Sequence, residues 1–376
     1  MVSPRSLKIC EYTEAMVPAV IEFNARLRAA GVRYVFPESH VPTRFPPDSG
    51  GCPYQQYFVA VDEDGAVRGG YTLKREESWI GDRCEAIADL QLPLSEGIVN
   101  RAYAIVGIQL LRDALRRQPL LYALGIGGHE ESLAKLLAAS AWNLVSVPFF
   151  FRVVHPVAFL RNMVYFRRSA MASRALDVLA GSGLGWLGIR ALQLLRGARS
   201  GRPSHASVEV VEEFDDWASI FWEKNKNANG MAIVRNANTL RIIYPKGAGR
   251  FVILRVAKEG EIIGWAVLLD TCLSGHRQFG NMRLGSLVDC FAAPAHAADV
   301  VAKATQFLER QGVDLIVSNQ LHAAWRAALK ATGFMQGPSN YIFGTSPELT
   351  SRLQAAHVNL HDVHITRGDG DGPINL

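Results

Sequence analysis

Cysteine is scarce in this chain. The five residues, at 10, 52, 84, 272 and 290, are widely spaced, odd in number and never arranged as CxxC. That excludes a disulfide framework and a zinc knuckle, and it makes a reducing cytoplasm the simplest expectation. The opening MVSPRSLKICEY has no apolar h-region, so no secretory leader is expected. Long charge-free apolar runs are missing as well. The nearest, Leu176–Leu195, is interrupted by Asp177, Arg190 and Gln193 and holds four glycines, so a spanning helix is not expected. Acidic residues are nearly absent between His155 and Val208, where Asp177 stands against eight arginines and no lysine.

What is present is the composition of a globular protein: 376 residues, 49% apolar and 20% charged. This excludes a disordered or collagen-like chain and leaves room for two domains of ~100–200 residues. The net charge of +5 is concentrated in the arginine-rich middle. Any electrostatic partner belongs to that segment: an acidic carrier protein, tRNA or an anionic membrane surface.

The chain repeats itself once. VAVDEDGAVRGG at 59–70 and LRVAKEGEIIGW at 254–265 both read as a β-hairpin with an acidic-Gly turn. Gly65 and Gly260 share an offset of 195 residues, as do Gly69 and Gly264. Downstream, Ile87–Pro93 and Leu287–Pro294 are each a strand containing an Asp and ending in Pro. A helix follows in both halves, with stripes Ala104, Ile108, Leu111, Leu115 and Val300, Ala304, Phe307, Leu308. Short apolar strands come next, Leu120–Gly125 and Asp314–Ser318, then helices Glu131–Ser140 and His322–Thr332. Final strands are expected at Val145–Val154 and Tyr341–Gly344, closing the first and second half respectively. Each half also opens with a strand and a helix. The expected fold is therefore α/β with mixed sheets, in domains 1–154 and 207–345, with a basic, partly helical linker at 155–206 and a C-terminal extension at 346–376.

This element order resembles the GCN5-related N-acetyltransferase fold in tandem. The local likeness is best at Leu315-Ile-Val-Ser-Asn319, Ala323, Leu329 and Gly333-Phe334. The resemblance implies a mixed sheet whose fourth and fifth strands diverge. It also implies transfer of an acyl group from an acyl-CoA or acyl-carrier thioester to an amine, without a metal. Asp89 and Asp289, on the two fourth strands, would be candidate bases, and Tyr341 the acid that protonates the leaving thiolate. Asn319 would touch the pantetheine arm of the donor or cap the following helix. Ala292 and His296 in the second half, and Arg101 and Gly107 in the first, lie where the rest of the donor would run.

The family's donor loop, Arg/Gln-x-x-Gly-x-Gly/Ala, brings amides against a pyrophosphate. Pro294-Ala-His-Ala-Ala-Asp-Val-Val-Ala302 has neither its glycines nor its arginine; Gly97, Arg101 and Gly107 are present in the first half at other spacings. This opens two alternatives: a FemAB-like aminoacyltransferase acting on an envelope precursor at the inner membrane face, and an inactive binding module. Among the active readings, Asn319, Tyr341 and Asp289 place the chemistry in the second half.

Two further motifs are set aside. Gly183-Leu-Gly185-Trp-Leu-Gly188 fits GxGxxG, but a helical pattern rather than a strand precedes it. The tail from His361 to Asp371 has metal-ligand residue types, yet DxDG lacks a closing Glu and HxxH serves a metal only on a helix; a flexible or docked tail is expected.

Overall fold

The computed structural model describes residues 7–47, 51–164, 170–182, 185, 187, 188, 191, 205–249 and 251–370. The chain divides into two compact units, Met1–Ser146 with Asn340–His357, and Val147–Ser339 with Val358–Leu376.

The first unit contains β1 (Lys8–Glu11), α1 (Val17–Ala29), β2 (Tyr54–Val61), β3 (Val67–Ile80), β4 (Arg83–Ser95), α2 (Val106–Arg117), β5 (Leu121–Leu124), α3 (Ser132–Ala139) and β6 (Asn143–Ser146). The second begins with β7 (Phe149–Val153), α4 (Pro156–Asn162), α5 (Ala170–Gly181), β8 (Ser207–Val211), α6 (Asp216–Asn225), β9 (Met231–Ile233), α7 (Ala237–Ile243), β10 (Val252–Lys258) and β11 (Glu261–Cys272). It continues with β12 (Arg283–Ala292), α8 (Ala297–Arg310), β13 (Leu315–Asn319), α9 (Ala323–Ala331) and β14 (Met335–Gly337). The chain then returns to the first unit with β15 (Ile342–Thr345) and α10 (Pro347–Ala355), and ends in the second with β16 (Val363–His364).

The sheets have the same plan. The first runs β1-β2-β3-β4-β5-β15-β6 and the second β8-β10-β11-β12-β13-β7-β14. Along both seven-strand paths the fourth and fifth strands are parallel and the other pairs antiparallel; β9 and β16 form a further parallel pair. The sixth strand of each sheet comes from the other half of the chain. Phe149–Val153, expected to close the first half, pairs with β13 and β14 in the second unit. Ile342–Thr345, expected to close the second, pairs with β5 and β6 in the first. The reason is local. Val147-Pro148 joins β6 to β7, and Pro148 holds Val147 extended while neither residue supplies the positive φ of a tight hairpin.

The repeated glycines are explained by the hairpins. Gly65 and Gly260 have φ of 81° and 85°, the left-handed turn position. A Cβ on Gly69 would lie 2.8 Å from the Leu94 carbonyl and 3.0 Å from Val106 of α2. One on Gly264 would meet Val300 of α8 at 2.6 Å. These glycines therefore let a helix lie directly on the hairpin. The buried stripe of α2 is Val106, Leu110, Leu111 and Ala114. Ile108, expected to face inward, is instead exposed, because the helix starts at Val106 and its phase is set by the contacts at Gly69.

The linker is partly described. Phe159 and Leu160 of α4, Met163 just after it and Ala180 of α5 pack with Leu284, Leu315 and Val317 of the second unit's sheet. Arg161 and Arg174 are exposed; Arg167, Arg168, Arg190, Arg196, Arg199 and Arg202, and most of the GxGxxG run, lie outside the described residues. No helix among the described residues is long and apolar enough to cross a membrane.

Candidate functional site

In the first unit β4 pairs with β5 only at Ala88–Leu121 and Asp89–Tyr122. Beyond that point β4 runs on to Ser95 without β5. Leu92 and Pro93 together oppose the single residue Tyr71, a bulge in which Leu92 takes φ 48°. In the second unit β12 and β13 pair from Leu284–Leu315 to Leu287–Ser318 and then part, beside a bulge at Val288. Each unit thus has a slot between its fourth and fifth strands.

The slots differ in what lines them. In the second unit Cys290, Phe291 and Ala292 on one side and Asn319, Gln320 and Leu321 on the other are all buried. The chain's own C-terminal segment fills the gap. His364 Nε2 donates to the Cys290 carbonyl at 2.7 Å, and the Leu321 amide donates to the Ile365 carbonyl at 3.3 Å. Thr366 donates to Asp289 Oδ1 at 3.0 Å. Because a carbonyl can only accept, the His364 proton sits on Nε2. Burial, and then Arg235 and His322, hold its pKa well below the usual imidazole value.

Asp289 is sealed in this arrangement. Its Oδ1 also accepts from Arg235 Nη2 at 3.2 Å and the Cys290 amide at 2.8 Å; its Oδ2 accepts from the Tyr244 hydroxyl at 3.0 Å. Arg235 in turn holds both oxygens of Asp369, at 2.7 and 2.9 Å. Burial and the Asp289 charge keep the Tyr244 phenol far above its ordinary pKa. Asp289 is 1% exposed, with three donors on Oδ1 and one on Oδ2, and the tail covers it, so it does not have the open approach that the resemblance implied for a base. Asn319, at the end of β13, is buried and does not cap the next helix; His322 Nδ1 does, accepting from the Ala324 amide at 3.1 Å. Ala292 packs under Gly264, and His296 lies in a short 3-10 turn 3.8 Å from Asp299.

The first slot is different. Gln91, Leu92 and Pro93 on β4, and Leu124 at the end of β5 with the following residues through Gly128, retain exposure. The sheet face turned away from α2 carries a buried polar group at this point. Lys74 Nζ lies 2.9 Å from Glu76 Oε1, with 1% and 2% of the side chains exposed. The Tyr122 hydroxyl donates to Glu76. Gln91 donates to Asp89 Oδ2 at 2.8 Å, and Gln55 donates to Gln91 at 2.8 Å. Asp89 is opposite Lys74 on one side and Tyr122 on the other. Burying an ion pair costs several kcal/mol of desolvation per ion, by rough measure, so such a pair marks a functional candidate.

Tyr341 joins this unit rather than the second. β15 carries it to the end of β5, where a Cβ on Gly125 would touch its ring at 2.7 Å. Arg101 is exposed in a 3-10 turn before α2, and Gly107 is the second residue of that helix, where a Cβ would make ordinary contact with Leu136 at 3.7 Å and Ser95 at 3.9 Å. Of the expected residues, the fold therefore gathers Asp89, Tyr341, Arg101 and Gly107 in the first unit and leaves Asp289, Asn319, Ala292 and His296 in the second.

Lys74, Glu76, Tyr122 and Arg235 were missed by sequence reasoning, while His364 and Asp369 were read only as metal-ligand types in a flexible or docked tail. The alternating Thr72, Lys74, Glu76 and Ser78 of β3 were the available signal, but period-2 polarity ordinarily means a solvated face. The two aspartates were also wrongly equated. With Gly69 matched to Gly264, Asp89 corresponds to Ser286 and Asp289 to Gln91.

The sequence matches no protein-family model and no curated protein. Solved structures do match. A GCN5-related N-acetyltransferase from Anabaena variabilis superposes with a TM-score of 0.54 at 8% identity, over 90% of this chain and 72% of that one. A protein from Enterococcus faecalis, described as a probable N-acyltransferase, gives 0.53 at 8%, over 92% and 73%. The two slots and the shared strand order decide the matter. The fold is the GCN5-related N-acetyltransferase fold, in tandem. A fungal glucosamine N-acetyltransferase region has the same likeness, with a TM-score of 0.50 at 12% identity over 91% of this chain and 38% of that one.

Proposed function

We propose that this tandem GCN5-related fold is an acyltransferase whose chemistry lies in the first unit. The observation that carries the reading is the difference between the slots: the second is filled by Val363–Gly370, with Asp289 locked behind it, whereas the strands around the first keep exposure and meet a buried polar group. A thioester donor would enter between β4 and β5 past Leu92. Backbone amides freed by the bulge would hold its carbonyl and stabilise the oxyanion. Asp89 is itself 1% exposed, so the acceptor amine would reach it along the slot, from the side of its partly exposed hydrogen-bond partner Gln91. The amine nitrogen bonds to the acyl carbon and the carbon–sulfur bond breaks. Asp89 takes the amine proton, and Tyr341 gives its hydroxyl proton to the departing thiolate. Lys74 stands opposite Asp89 on the neighbouring strand and is paired with Glu76.

The test is a thermal-shift screen of the purified chain against acetyl-CoA, longer acyl-CoAs, an acyl-loaded carrier protein, and charged and uncharged tRNA. A donor at ~100 times its Kd adds ~2.7 kcal/mol to stability. A thioester response, followed by acyl transfer to an amine that Asp89→Asn abolishes, supports the reading. A response to charged tRNA alone moves the protein to the FemAB-like alternative, and silence throughout moves it to a binding module.

A further inference from the structure

We infer that the donor reaches the first slot attached to an acidic carrier protein rather than as free CoA, and that the carrier docks on the surface at the start of α2. This rests on the acyl-transfer reading above and specifies its donor.

The surface begins directly after β4. From Ile98 to Ile108 four large apolar side chains are turned outward: Ile98 at 54% exposure, Val99 at 37%, Ile105 at 52% and Ile108 at 39%. The 3-10 turn Glu96–Ile98 packs against both Arg101–Tyr103 and the start of α2, so the four belong to one patch. Their exposure is not looseness. Glu96 is held by Arg26 and Arg68 at 3.1 Å each. Ser95 Oγ accepts the Gly97 amide at 3.0 Å, Asn100 Oδ1 accepts the Ala102 amide at 3.0 Å, and Arg68 lies 4.4 Å above the Tyr103 ring. A loop fixed at both ends displays apolar groups in one arrangement, so little ordering is needed when a partner binds.

The charges select the partner. Every exposed charged side chain from Gly97 to Arg117 is an arginine, namely Arg101, Arg112, Arg116 and Arg117. The single acid of that stretch beyond the anchor, Asp113, is buried against Tyr71 and Arg117. Ile105 at the N-cap of α2 and Ile108, Arg112 and Arg116 within it follow one another at helical spacing. An apolar centre with a one-signed rim is the complement of an acidic, amphipathic surface.

The loop also disfavours free CoA. Read from Arg101 it is Arg-Ala-Tyr-Ala-Ile-Val, with Ala104 where the donor loop has Gly and Val106 where it has Gly or Ala. A carrier's phosphopantetheine has one phosphodiester and no pyrophosphate, and Arg101 alone can meet that charge.

The experiment compares an octanoyl-loaded acidic acyl carrier protein with octanoyl-CoA by calorimetry at ~50 and ~200 mM salt. The loaded carrier is expected to bind at least about tenfold tighter at low salt, and to lose that advantage as salt rises. Replacing Ile105 and Ile108 together with Ser should weaken the carrier by about tenfold and leave octanoyl-CoA binding unchanged. Asp89→Asn should bind the carrier normally while losing turnover. If octanoyl-CoA binds as tightly and is turned over, the docking inference falls and acyl transfer stands. If neither thioester binds, acyl transfer falls and the docking inference with it. If the Ile105/Ile108 pair governs binding to anionic vesicles and not to the carrier, the patch is a membrane surface and the inference is wrong.

Discussion

Asp89 lies directly across the β3–β4 ladder from Lys74. The corresponding pair in the second sheet is Ser286 opposite Leu269, so the first unit alone carries this charged arrangement. The asymmetry between the halves leads to the expectations that follow.

Asp89→Asn keeps the shape of the side chain and removes proton acceptance. It should lower kcat by ~10²–10⁴ with little change in KM. Asp289→Asn should leave kcat near its starting value and instead cost about 1–3 kcal/mol of stability, since it weakens bonds to Arg235, Thr366 and Tyr244. Steady-state kinetics and urea unfolding on both variants separate the two roles. The reverse pattern would return the chemistry to the second unit.

Lys74 and Glu76 form a buried pair, so removing one strands the other. Lys74→Met alone should destabilise by about 3–5 kcal/mol, and Lys74→Met with Glu76→Leu should recover much of that. A denaturant double-mutant cycle measures the coupling. If the double variant is stable but inactive, the pair is retained for function and not for folding.

His364 and His322 both have pKa values held below the usual imidazole value, chiefly by burial. The unfolded chain then takes up protons first, near pH ~6.5, while the folded chain resists. Their contribution to stability is present above that pH and is lost as pH falls below it. Urea midpoints should be level from pH 8 to 7 and decline towards pH 5. His364→Gln should shallow that decline by up to ~1.4 kcal/mol per pH unit, the effect of one proton. An unchanged slope would show that His364 does not report the tail's seating.

The repeated glycines should differ in how they fail. Gly69→Ala presses a Cβ to 2.8 Å from a backbone carbonyl and should cost about 1–3 kcal/mol. Gly65→Ala meets no atom but must adopt φ 81°, and should cost roughly 1–2 kcal/mol. Gly128, with nothing within 4 Å of a Cβ, serves as the control. Thermal midpoints of the three variants order the effects.

The amino-acid sequence determined what local physics writes along a chain. Turn glycines at 65 and 260, contact glycines at 69 and 264 and the periods of strand and helix placed most elements within a few residues of where they lie, and made the duplication visible. Tertiary structure decided what pairs with what. Phe149–Val153 and Ile342–Thr345 are strands by pattern, but which sheet takes them depends on whether Val147-Pro148 turns or runs straight, and a strand's partner is not encoded in its own alternation. The same limit applied to the aspartates. A bulge on each fourth strand, at Leu92-Pro93 and at Val288, shifted their registers differently, so two residues that looked equivalent in sequence became Asp89 opposite Lys74 and Asp289 opposite Val267. Only the folded chain brings Thr366 beside Asp289, 77 positions earlier, and Asp369 beside Arg235, 134 positions earlier, and closes one slot with its own tail.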